Sequence, residues 1–276
     1  MSGKIASTKS GENEYTSKGS GPVILVMHGM SEDCNADAGY GAFVKAGFCM
    51  LTPSRPGYGR TPASVGDTAE KAAEAMVALL DYLKIEETNV MAVSGGGPTA
   101  IFLASNHPER VRKLALVSAM SKPWQDKARY ETVKKFYGKS LKIMWSMLRV
   151  FSILFPRMTA ERTISLFSTH DPNDFMKHVS KEDIKSLLRL YRRKAYTEGP
   201  LIDLKDQPEA SVLNRIKAPT LVAHSKEDKS VDFDNAQYSV QNIESAELFI
   251  SPTWSHFPWL GPHADDELNR VIGFFT

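Results

Sequence analysis

The chain has 276 residues, 42% of them hydrophobic and 24% charged, proportions that fit one globular α/β unit with an insertion and exclude disordered and fibrous classes. A net charge of +2 offers no basic face of the kind that displaces counterions from nucleic-acid phosphates. Cys34 and Cys49 are too few for a disulfide scaffold and lack zinc-site spacing, so both are expected as free thiols.

Residues Met1 to Gly21 are polar, with no apolar signal segment, and point to a cytoplasmic protein; Lys4 to Lys18 is read as a small hairpin. Pro22 to Met27 is a continuous apolar run, as a central strand covered on both faces requires. A short helix near Gly41 to Ala46 and a strand over Phe48 to Thr52 follow, then the Gly/Pro loop SRPGYGRTP. Thr68 to Leu83 repeats apolar residues at helical spacing. Val90 to Val93 is read as a strand, Pro98 to Ser105 as a helix and Val111 to Val117 as a strand. This alternation predicts a mostly parallel, doubly wound sheet.

From residue 121 to 214 only helical patterns occur. The clearest is Leu141, Met144, Trp145, Leu148, Phe151, Leu154, Phe155 and Met158. Ile143 to Phe155 is too short for a membrane span and contains Arg149, so it is expected as a buried helix and no membrane partner is assigned. Alternation resumes with strands over Thr220 to His224 and Leu248 to Ser251, and helices over Phe233 to Val240 and Asp265 to Phe275. The domain reading is therefore a core of 1–120 and 215–276, with 121–214 inserted as a helical lid.

The stretch VMAVSGGGPTA places Ser94 between a strand and a helix with Gly95, Gly96 and Gly97 behind it. A tight strand-to-helix turn forces its tip into strained angles and needs small neighbours, so this pattern exposes Ser94 above the carboxyl edge of the sheet. The same letters fit G-x-G-x-x-A, but no acidic residue ends the next strand to hold a ribose, and no Lys-Ser/Thr follows to make a phosphate loop. A serine hydroxyl needs a base, and the base an orienting acid. Asp228, in the loop after Thr220 to His224, and His256, in the loop after Leu248 to Ser251, lie at that same edge. Glu227 is the alternative acid and His263 the competing histidine, the latter better suited to a surface cap. His28, His107, His170, His178 and His224 are expected to be structural or solvent-facing. His170 and His178 with Asp171 and Asp174 match no metal-ligand spacing.

At this point the sequence resembles the α/β-hydrolase superfamily, whose elbow is G-x-S-x-G; here it stands as Ala92-Val93-Ser94-Gly95-Gly96, with alanine for the first glycine. The resemblance implies the α/β-hydrolase fold with an inserted helical cap, a Ser94, Asp228 and His256 triad, and no cofactor or metal. His28-Gly29 resembles the family's HG turn, which implies that the backbone N–H of Met30 joins that of Gly95 as an oxyanion donor. Arg55 to Gly59 resembles the loop after the following strand, with Arg55 a supporting donor and Tyr58 near the pocket. Trp145, Leu148, Phe151, Tyr58 and Phe257 are the expected substrate contacts. The basic residues Lys134, Lys135, Lys139, Lys142, Arg189, Arg192 and Arg193 are expected as a solvated face of the cap. Serine rather than aspartate at the elbow leaves acyl transfer to water, with a bulky apolar ester or lactone as partner molecule and a monomer or homodimer as the assembly. The stretches LTPSRPGYGRTP, AVSGGGPTAI and SAMSKPWQDK are together similar to serine-dependent macrolide esterases. A ligand-binding protein that keeps the triad, and an acyltransferase or perhydrolase, remain as alternatives.

Overall fold

A computed structural model describes residues 3–124, 126–137, 141–192, 195–205 and 207–276. Eight strands form one sheet: β1 (Lys4–Thr8), β2 (Gly11–Lys18), β3 (Val23–Met27), β4 (Cys49–Pro53), β5 (Thr88–Val93), β6 (Val111–Val117), β7 (Thr220–Ser225) and β8 (Ala246–Ser251), in the order β1-β2-β4-β3-β5-β6-β7-β8. β1 and β2 form the expected hairpin, which pairs antiparallel with β4; all other pairs are parallel.

The helices are α1 (Tyr40–Lys45), α2 (Ala69–Tyr82), α3 (Gly97–Asn106), α4 (Lys127–Phe136), α5 (Leu141–Leu154), α6 (Pro156–Phe167), α7 (Pro172–Phe175), α8 (Lys181–Arg192), α9 (Glu198–Lys205), α10 (Ala210–Leu213), α11 (Asp234–Asn242) and α12 (Ala264–Phe275). Strand side chains alternate faces, and two cores result. Leu25, Met27, Val90, Ala92, Leu114 and Leu116 pack towards α2 and α3, whereas Ile24, Val26, Met91, Val93, Ala115 and Val117 pack towards α1 and α12. A run of apolar residues with no polar alternation is the direct consequence of having both faces covered.

Boundaries moved where burial is one-sided. β8 starts two residues before Leu248, and as an edge strand it leaves Leu248 and Ile250 partly in solvent. α10, inside the span read as lid, packs beside α3 and α11 and buries Leu213 in the core on that face of the sheet. The expectation that Ile143 to Phe155 is buried is corrected. Leu141 and Trp145 face inward, but Ile143 is 71% and Leu154 63% exposed, because α5 carries apolar residues on two sides and the cap covers only one of them. Lys139 and Arg193, and the side chain of Lys142, lie outside the described residues. Among the described residues no helix is long and apolar enough to cross a membrane.

Glu267, in the first turn of α12, is 1% exposed, and its two carboxyl oxygens lie beyond hydrogen-bonding distance of any partner among the described residues. Burial pushes its carboxyl up to about 7, with Ser251 and His224 acting in the opposite sense. The folded state therefore keeps this proton while the unfolded chain releases it near pH 4.5. Stability should fall as pH rises from about 4.5 to 7 and level off above, by about 3 kcal/mol from this group. Urea midpoints measured across that range should fall less in Glu267→Gln than in the native chain; parallel curves would refute the assignment.

Candidate active site

Ser94 lies where β5 turns into α3, with φ at 52°, and Gly95 to Gly97 carry the chain back against the sheet. A Cβ on Gly96 would lie 2.2 Å from the Met27 carbonyl oxygen, and one on Gly97 only 1.9 Å from that of Met120. No side chain fits there, so the glycines are required by close approach of backbone. The Met120 N–H donates to the Ser94 carbonyl at 2.9 Å and pins the turn to the end of β6. Ser31 and Ser118, at the ends of neighbouring segments, also have positive φ (64° and 46°), so backbone strain gathers at this edge.

The three distant loops meet. His256 Nδ1 is 2.7 Å from Asp228 Oδ2, and His256 Nε2 is 2.9 Å from Ser94 Oγ. Asp228 is 5% exposed, and its Oδ1 accepts from the N–H groups of Ser230 (2.8 Å) and Val231 (2.9 Å). Burial pushes its carboxyl up, but the imidazoles of His256 and His224 outweigh that and hold it well below the usual carboxylate range. An ionised Asp228 only accepts, so His256 Nδ1 carries hydrogen and Nε2 is left to accept from Ser94. Glu227, the alternative acid, turns instead to the Thr169 hydroxyl. His263 stands exposed at the start of α12, 3.0 Å from Asp266. His170 and His178 pack on Trp254, and no metal-binding cluster occurs among the described residues.

Two supports were not legible in the sequence. His224, next to last in β7, has its Nε2 2.9 Å from the Val231 carbonyl and 3.3 Å from Asp228 Oδ2. The end of α6 closes on the same place. Phe167 stacks on the His256 ring (centroids 5.8 Å, 26° between planes) and its carbonyl accepts the His256 main-chain N–H at 2.9 Å. An isolated bridge joins Ser168 to Asp228. Only a partner far along the chain reveals such contacts.

The HG turn lies against the elbow. A Cβ on Gly29 would sit 3.3 Å from Ser94 Cβ, and one on Gly95 2.7 Å from Met30 Cγ, so the Met30 and Gly95 backbones flank the serine. Ser94 and His256 open onto a cavity of about 800 Å³ between sheet edge and cap. Met30, Trp145, Leu148 and Phe257 line it, joined by Met144, Tyr137, Leu187 and Tyr191. Burial pushes the Tyr137 phenol up to about 12 against the Ser31 hydroxyl, so it presents a proton there. Two expected contacts are corrected. Phe151 is 45% exposed and does not line the cavity, because it lies at the border of the stripe that carries Trp145 and Leu148. Tyr58 is wholly buried beneath the cavity floor, where its hydroxyl donates to Asp203 at 2.6 Å.

Asp203, on α9, has no local sequence signal that separates it from its neighbours Glu198 and Asp206. It forms a two-pronged ion pair with Arg55, whose Nη2 is 2.8 Å from Oδ2. Arg55 also donates through Nε to the His28 carbonyl (3.0 Å) and through its N–H to His28 Nε2 (3.1 Å). Both charges are under 3% exposed. The pair clamps α9 to the HG turn.

Residues 22–139 match the family described as alpha/beta hydrolase fold. The chain is 35% identical to an uncharacterized hydrolase, YcgS, of Bacillus subtilis over 96% of this chain and 95% of that protein. It is 26% identical to a 2-hydroxy-6-oxo-6-phenylhexa-2,4-dienoate hydrolase of Burkholderia cepacia, over 92% and 87%. An alpha/beta hydrolase fold protein from Nakamurella multipartita superposes with a TM-score of 0.82 at 27% identity, covering 99% of each chain. With its sheet order, elbow and inserted helices, the chain belongs to the α/β-hydrolase fold family.

Asp203→Ala should cost about 3–5 kcal/mol in urea unfolding, because it strands the buried Arg55 guanidinium. The double change Arg55→Met with Asp203→Leu should recover most of that loss. An Asp203→Ala loss below about 1 kcal/mol would mean that water reaches the guanidinium.

Proposed function

We propose that the protein is a cofactor-free serine hydrolase that cleaves a bulky, largely apolar carboxylic ester or lactone through an acyl-enzyme on Ser94. The observation that carries this reading is the unbroken chain Ser94 Oγ, His256 and Asp228 at 2.9 and 2.7 Å, opening on the cavity. His256 Nε2 removes the Ser94 proton as Oγ attacks the carbonyl carbon. The oxyanion forms beside the Met30 and Gly95 N–H groups, at a helix start that favours negative charge. Asp228, kept ionised, stabilises the imidazolium, which then protonates the leaving alcohol. Water then gives a proton to the same nitrogen as its oxygen adds to the acyl carbon, and the Oγ–acyl bond breaks as His256 returns that proton to Ser94, releasing the carboxylic acid. The apolar lining by Met144, Trp145, Leu148 and Leu187 favours a substrate with a large hydrocarbon part, and a macrolide-type lactone is one member of that class.

A second reading rests on the Burkholderia cepacia relative, named as the hydrolase of a 2-hydroxy-6-oxo dienoate and alignable over 92% of this chain. The same serine would then attack a ketone carbonyl and the leaving group would be carbon. A panel of graded p-nitrophenyl esters, lactones and one such dienoate separates the two by which compounds are turned over.

With the best ester, Ser94→Ala should lower kcat by at least about 10³-fold, and Asp228→Asn by about 10⁴-fold with KM little changed. Rapid quench with intact-mass detection should show an acyl group on the native chain and none on Ser94→Ala. Native turnover by Ser94→Ala would end this proposal.

A further inference from the structure

α5 and α6 form a hairpin, joined at Phe155 and Pro156, whose inner face belongs to the cap core through Leu141, Trp145, Ala160 and Ile164. Its outer face is apolar as well. Ile143, Met147, Val150, Ile153, Leu154 and Met158 are each more than half exposed. An exposed apolar patch of this extent, bordered by a polar stripe through Ser146 and Arg149, marks a binding surface. Charge decides what it binds. Away from the cavity, the exposed charged side chains described on α5 and α6 are Arg149 and Arg157, both basic, and the hairpin's one acid, Glu161, is half-buried. A second copy docked face to face would bring two such basic hairpins together, whereas an anionic lipid surface complements both the apolar residues and the positive charge. Fourteen residues of α5 rise about 21 Å, short of the roughly 30 Å hydrocarbon core, so the hairpin lies on a bilayer without spanning it.

We propose that the outer face of the α5–α6 hairpin docks the protein on anionic lipid surfaces, with Ile153, Leu154 and Met158 inserted among the acyl chains and Arg157 at the phosphates. The hairpin's other side, through Met144, Leu148, Arg162 and Leu166, lines the cavity over Ser94. A docked protein would therefore open its cavity beside the bilayer, where apolar solutes concentrate. The docking itself does not depend on the chemistry assigned to Ser94.

The test is sedimentation of the full chain with vesicles of pure phosphatidylcholine and of phosphatidylcholine with 40% phosphatidylglycerol. Binding should be confined to the phosphatidylglycerol vesicles and weaken several-fold from 0.1 to 0.5 M NaCl. Arg157→Glu should reduce partitioning by about tenfold or more. The pair Ile153→Ser and Leu154→Ser should abolish it while leaving the melting temperature and hydrolysis of a short soluble ester within twofold. No binding to phosphatidylglycerol vesicles, equal binding to both vesicle types, or a stable dimer in light scattering that these substitutions dissociate would each overturn the proposal. Loss of ester hydrolysis in Ser94→Ala with vesicle binding intact is the expected separation of the two readings.

Discussion

The left-handed backbone at Ser94 is the constraint on which the rest of the site depends. A residue with a side chain pays strain at φ of 52°, and it stays there because the following glycines pack backbone on backbone against the ends of β3 and β6. Those contacts involve Met27 and Met120, one before the HG turn and one after β6. The elbow is thereby fixed relative to the loop that carries Met30 and to the strand next to β7. Since β7 and β8 follow in register, the loops bearing Asp228 and His256 are carried to the same edge. A parallel sheet puts all its carboxyl ends on one side, and that geometry turns residues far apart in sequence into hydrogen-bonded neighbours.

Asp228 is the electrostatic centre of the arrangement. A buried carboxylate is tolerated only when its lone pairs are filled, and here two main-chain N–H groups and two imidazoles fill them. His224 and the two amides hold the acid before His256 arrives, so the acid is preorganised rather than drawn into place by the base. Phe167 completes the arrangement from the other side by stacking on the His256 ring and accepting its main-chain N–H. The cap is thus a structural part of the site as well as its cover.

The fold was legible because its signals are local. Continuous apolar runs mark strands buried on both faces, and Ser94 with its glycines is a spacing only a tight turn explains. The order of Asp228 and His256 was legible because each follows directly on a strand. What was hidden depends on a partner elsewhere in the chain. Asp203 carries no mark of its role until Arg55 is seen beside it, and His224 reads as the last residue of a strand until its ring reaches Asp228. Phe151 shares the helical spacing of Trp145 and Leu148, yet periodicity gives a stripe's position without saying how wide a strip the neighbours cover. On α5 that strip stops short of Phe151, and the sequence contains no mark of the limit.

The inserted helices are attached to the core differently at α9 and at the end of α6, and this difference has mechanical consequences. α9 is locked to the core by the Arg55–Asp203 pair and by Gly199, whose missing Cβ leaves room for the Tyr58 ring at a place where a methyl group would come within 2.2 Å of it. The end of α6 is held at the acid and base loops through Phe167, Ser168 and Thr169. Between these anchors, α8 reaches the core through Arg189 and Asp37, a pair about half exposed and so of little energetic weight. Opening of the cavity over Ser94 should therefore occur by movement of α8 and the α5–α6 tip about two fixed points, which leaves the His256–Asp228 geometry intact while substrate enters.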